Sequence, residues 1–163
     1  MIVNKWLTIA LTVGLLCLAT HRIASAQEPA DPDLEMLRSR VGNFFEAVSV
    51  GGRTQAAYQE LLVGSPLLKQ AKQVDALVTQ TDQLHERFGP YRDFEPIAAR
   101  RVGKDLVLLR YLYKCEHFPV VFYFTFYRTP RGEPPTETSN NWRVIIVRFD
   151  TELELLAWTP DAK

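Results

Sequence analysis

Outside the first 26 residues, this chain has few side chains whose type and spacing could do chemistry: two histidines, one cysteine, and a set of tyrosines beside basic residues. An imidazole held beside a carboxylate can act as a general base, so His85 and His117 are the candidates for that role. Neither sits in such a pattern. His85 lies between Leu84 and Glu86 on a helix flank, and His117 falls in a turn, where solvated or structural roles suffice. Cys115, between Lys114 and Glu116 in strand-like sequence, reads as a small buried hydrophobe rather than a nucleophile. No ligand spacing for a metal is present, nor a glycine-rich phosphate loop, a serine elbow or a cysteine pair. No metal and no cofactor is expected.

Binding chemistry has better carriers. Tyr58, Tyr111, Tyr113, Tyr123 and Tyr127 could line an apolar pocket with a few orienting hydroxyls. The competing reading is sheet packing, because aromatic residues are favoured in strands for cross-strand contact alone. Arg110 and Lys114 share one strand face and could hold an anion, or else pair with carboxylates on the next strand. Asp93, Glu95, Arg100 and Arg101 read as a solvated face.

These residues must be positioned by an ordered run of elements. Leu34, Leu37, Val41, Phe44, Phe45 and Val48 recur at helical spacing after Asp31 and Asp33, which suit a helix start, and Gly51-Gly52 ends the run. Ala57, Tyr58, Leu61 and Leu62 share a face of a short second helix stopped by Gly64. Ser65-Pro66 opens a third helix, predicted to run to Phe88 and close at Gly89-Pro90. The texture then changes to Val, Ile, Tyr and Phe broken by turn residues, giving strands at 91–102, 104–116, 119–129 and 141–150. Gly103-Lys104 reads as a tight hairpin turn, and 130–140 as a long exposed loop. Three helices followed by four antiparallel strands make an α+β fold. In the third strand Val120, Phe122, Phe124 and Phe126 should face the helices, and Val121, Tyr123, Thr125 and Tyr127 should face away. The second strand is apolar on both faces near its start, so it is central or its second face meets a partner.

The N-terminus supplies an address. Lys5, an apolar run from Trp6 to Ala19 and Ala24-Ser25-Ala26 read as a secretory signal peptide cut after Ala26. The run is too short for a spanning helix, which needs about 20 apolar residues, so no membrane association is expected after cleavage; a retained anchor is the alternative. Residues 27–32 form a short leader, 33–158 a single domain and 159–163 a tail. Lys5 and Arg22 leave with the signal while all 19 acidic residues stay, so the mature chain is slightly acidic and nucleic acid is an unsuitable partner. Cys17 leaves too, so an exported chain has no internal disulfide and depends on packing.

The order of elements resembles the nuclear transport factor two-like, or cystatin-like, superfamily. The pieces that carry the likeness are Phe44-Phe45-Glu46-Ala47-Val48 with Gly51-Gly52, Ala57-Tyr58-Gln59-Glu60-Leu61-Leu62, Ser65-Pro66-Leu67, Phe88-Gly89-Pro90-Tyr91 and Trp142-Arg143-Val144. The resemblance is to small exported bacterial members and implies a curved sheet wrapped around helices as a cone. It implies little chemistry, since this fold hosts many functions. Superfamily enzymes such as ketosteroid isomerases and scytalone dehydratases place Tyr, His and Asp inside the cone, and their patterns have no residue-by-residue match here. The expected function is therefore non-catalytic binding of a small apolar ligand or a protein partner, in the periplasm or outside the cell. The alternatives are a small cofactor-independent isomerase, dehydratase or hydrolase built on His85 or His117, and a homodimeric assembly module that uses the outer sheet face.

Overall fold

Asp31 sets the start of α1 (Pro32–Ser49): its carboxylate accepts hydrogen bonds from the N–H groups of Asp33 and Leu34 at 3.1 and 3.3 Å. Pro32 at the first helical position already has a helical φ and no N–H to satisfy. The computed structural model describes residues 31–130 and 141–154, so the signal-like segment, most of the 130–140 loop and the C-terminal end lie outside the described residues. α1 buries the stripe Leu37, Val41, Phe44, Phe45 and Val48. Each fully buried side chain of this size contributes about 1.5–3 kcal/mol, so this face fixes how the helix docks.

α2 (Thr54–Leu61) buries Ala57, Tyr58 and Leu61 against α1. Arg40 of α1 reaches over the end of α2, donating to the carbonyls of Leu61 and Val63 and to that of Trp142 at 3.1 Å. A guanidinium there satisfies carbonyls that a helix C-terminus leaves without partners.

The expected single helix from Ser65 to Phe88 is two elements. Pro66–Lys69 forms a 3-10 turn, Gln70 leaves helical geometry, and α3 (Ala71–Phe88) starts afresh. The cause is a tether: Ser65 Oγ accepts from Leu67 N–H and donates to the Val144 carbonyl of the last strand. The turn is thus held on the sheet while α3 turns Val74, Thr81 and Leu84 inward.

Four strands follow, β1 (Tyr91–Val102), β2 (Leu106–Cys115), β3 (Pro119–Arg128) and β4 (Trp142–Asp150), antiparallel in that spatial order. The fold is α+β, with the helices preceding one curved, open sheet. Irregular registers at Tyr91/Asp93, Pro96/Ala98 and Thr125/Phe126 are bulges of the kind that bend strands. The β1–β2 connection is the three residues Gly103, Lys104 and Asp105 rather than a two-residue turn, with Gly103 at φ +63°.

The alternation read in the sequence sets the two sheet faces. Val120, Phe122, Phe124 and Phe126 lie on the helical side with Val107, Leu109, Tyr111 and Tyr113, all in the main core. Phe45 stands at its centre, with its ring centroid 5.0 Å from Phe94, 5.2 Å from Phe122 and 5.6 Å from Tyr111. The hollow of the sheet is thus filled by the chain's own aromatic rings. No helix among the described residues is long and apolar enough to cross a membrane.

Candidate functional sites on two faces of the sheet

The six residues singled out for binding divide between opposite faces of the sheet. Tyr58, Tyr111 and Tyr113 lie on the helical side; Arg110, Tyr123 and Tyr127 lie on the other. Tyr58 is fully enclosed, its Oη 2.9 Å from Thr81 Oγ1, and its ring meets Phe44 edge-on at 4.9 Å. Burial raises its pKa well above that of a free phenol. Burial also lifts Tyr111 to about 12 and raises Tyr113 further. These phenols stay neutral and serve the core.

Neither imidazole is placed as a base. His85 and His117 are exposed and make no side-chain hydrogen bond or ion pair with the described residues. The buried polar side chains of the described interior are Thr54, Ser65 and Thr81, with no carboxylate among them. Cys115 is buried beside the core, and that burial raises its thiol pKa, which keeps the unreactive protonated form.

A groove of ≈ 470 Å³ opens where the end of α1 and α3 meet the sheet. Tyr91 and Tyr113, tilted against each other with ring centroids 4.9 Å apart, form one wall, and Thr54, Thr81, Asp82 and His85 form the other. The Thr54 hydroxyl donates to Asp82 at 2.5 Å, so that carboxylate is already engaged. Tyr113 is the one candidate of the six that borders this groove.

The outer face is organised in rows by strand register. Leu108, Thr125 and Ile146 are aligned across β2, β3 and β4; the next row is Arg110, Tyr123 and Arg148, and the next Leu112, Val121 and Asp150. Tyr123 is thus flanked by a guanidinium on each neighbouring strand, with Cζ of Arg148 4.2 Å and Cζ of Arg110 5.5 Å from its ring centroid. Cations over an aromatic face are attracted by the ring quadrupole. Tyr123 is 8 % exposed and Val121 0 %, although both point away from the helices. Tyr123 Oη is enclosed with no hydrogen-bond partner. Ile146, 47 % exposed, and Tyr127, 39 % exposed, continue this face toward solvent.

No family model, no curated protein and no solved structure matches this chain.

Lys114 does not join Arg110. It is held by Glu95 at 2.7 Å and Asp93 at 3.6 Å on β1, the pairing that like spacing also allowed. The second cation beside Arg110 is Arg148, which the sequence reading missed. Its signal was available only through register, since a residue of β4 cannot be aligned with β3 until the bulge at Thr125/Phe126 is known. A second group the sequence did not announce is Trp142, buried with Nε1 unpartnered and flanked by Arg101 and Arg128 at 5.5 and 5.2 Å. Both arginines are engaged by Asp31, Asp33 and Asp105, so that cluster reads as a brace between α1 and the strand ends.

Proposed function

We propose that this protein is an exported, non-catalytic binding module that engages a protein partner through the outer face of its sheet. One observation carries the reading. The helical face of the sheet is filled by the chain's own Phe and Tyr rings, while the opposite face presents half-exposed Leu108, Leu112, Ile146 and Tyr127 around Arg110 and Arg148, which have no ion pair among the described residues. An apolar patch rimmed and punctuated by polar groups is the ordinary composition of a protein-binding surface. Export rests on residues 1–26, and assignment to the nuclear transport factor two-like superfamily rests on the order of helices and strands. Both fit a small module of slightly acidic charge.

The test is the size of the assembly recovered from the producing cell's envelope. The wild-type chain is expected to sediment in a complex larger than a monomer, and Ile146→Glu is expected to sediment as a folded monomer. A wild-type chain that is itself monomeric in that extract, or an Ile146→Glu variant that stays in the complex, contradicts the proposal.

The groove beside Tyr91 and Tyr113 supports a second reading, in which a small molecule binds there. Its volume falls within the usual pocket range of about 300–1,000 Å³. A small molecule that co-purifies with the wild type and is lost in Tyr113→Ala, with the fold retained, would favour it over the outer face.

A further inference from the structure

We propose that the row Arg110, Tyr123 and Arg148 is a receptor for a carboxylate group, the polar anchor by which the partner is recognised. This inference rests on the outer face being the binding surface, and it names the chemistry at its centre. Two observations converge on it. Tyr123 Oη is a hydroxyl closed off from solvent with no hydrogen-bond partner among the described residues, in a side chain more than nine-tenths buried. Leaving such a donor unpaired is costly, and an incoming acceptor recovers that cost. The guanidiniums on either side have no ion pair among the described residues, whereas Arg38, Arg101, Arg128 and Lys114 are all paired with carboxylates.

The geometry selects the class of anion. Arg110, Tyr123 and Arg148 are register partners on three adjacent strands, so both guanidinium forks and the phenol are held on one line by the sheet. Planar forks match a planar carboxylate. The carboxylates of Asp150 and Glu152 act on the same phenol and offset part of the positive charge. That balance suits a monoanion better than a phosphate dianion. Asp150 is itself engaged as an acceptor by Glu152 N–H at 3.1 Å. Leu108, Leu112 and Ile146 in the adjoining rows supply an apolar rim for whatever carries the carboxylate. Arg148 is exposed and lies over the ring, and its long side chain is the part that moves aside on entry.

The measurement is an NMR titration of the protein as isolated, following the Nε–Hε signals of Arg110 and Arg148 at constant ionic strength. The probes are benzoate, its neutral isostere benzamide, and inorganic phosphate. Benzoate is expected to give saturable shifts at Arg110 and Arg148 with none at Arg92, benzamide none, and phosphate weaker ones. Tyr123→Phe is expected to weaken benzoate binding about tenfold, the loss of one hydrogen bond to a charged group. Should Tyr123→Phe fail to fold, Arg148→Gln answers the same question at an exposed position. Benzamide binding as well as benzoate, phosphate binding more tightly, benzoate shifts equal at all arginines, or affinity unchanged in the folded variants would each overturn the assignment. None of those results touches the Ile146→Glu test, so failure of the anchor and failure of the surface are separately visible.

Discussion

Tyr58 Oη and Thr81 Oγ1 lie 2.9 Å apart in the buried helical layer, so a hydroxyl pair ties α2 to α3. Removing one hydroxyl leaves the other without a partner where water does not reach. Tyr58→Phe and Thr81→Val are each expected to destabilise the fold by about 1–3 kcal/mol. The double variant should cost less than the sum, because it removes both orphaned groups. Urea denaturation of the four proteins measures this, and strict additivity would show that the pair is not coupled.

Phe45 is expected to be the costliest aromatic to truncate. Its ring meets Phe94, Tyr111, Tyr113, Phe122 and Phe124 within 5.8 Å, so Phe45→Ala opens a void that three strands line. The loss should be about 3–5 kcal/mol, a large share of a small domain's stability. A thermal midpoint within a few degrees of wild type would contradict the central place given to this ring.

Gly89 closes α3 at φ +84° and ψ 177°, a region open in practice only to glycine. An added Cβ would stand 3.0 Å from the His117 ring and 3.1 Å from Glu116 Cβ. Gly89→Ala is therefore expected to destabilise by about 1–3 kcal/mol. Gly103→Ala, at φ +63° with open space around it, should cost less. Equal midpoints for the two variants would refute this ordering.

Stability should fall at both ends of the pH scale, for opposite reasons. Burial raises the phenol of Tyr111 to about 12 and raises those of Tyr58 and Tyr113 as well. The folded chain holds these protons more tightly than the unfolded chain, so their contribution is complete below about 10 and is lost as pH climbs through the folded values. For Asp31, burial pushes the carboxyl up, but Arg101 and the N–H groups of Leu34 and Asp33 outweigh it and leave the pKa lowered. Its contribution is present above the unfolded value of 3.8 and is lost as pH falls below it. Urea midpoints across pH 3 to 11 read both effects, and a midpoint that rises above pH 10 would contradict the alkaline one.

Much of the fold was legible because each signal was local. Alternation in 119–129 separated Phe122, Phe124 and Phe126 from Tyr123 and Tyr127, and the structure keeps that division. β1 spans Tyr91–Val102 as its composition and flanking turns indicated, and β2 lies in the sheet interior, one of the two placements its apolar faces allowed. What was not legible depended on contacts between distant residues. The break at Gln70 follows from Ser65 bonding to Val144, 79 positions away. Arg40 could not be assigned to the end of α2, nor Arg148 to Tyr123, before the layers were assembled. The candidate site was half visible for the same reason: Arg110 and Tyr123 were each candidates, but their alignment comes from the β2–β3 register and their third member from the bulged β3–β4 register.

Which surface meets the partner is tested most directly by a photo-crosslinking amino acid placed at single positions in the producing cell. Replacing Ile146 on the outer face is expected to yield a discrete adduct with another protein, while replacing exposed Gln73 or Gln83 on α3 yields none. Adducts that form from α3 but not from Ile146 would contradict the account.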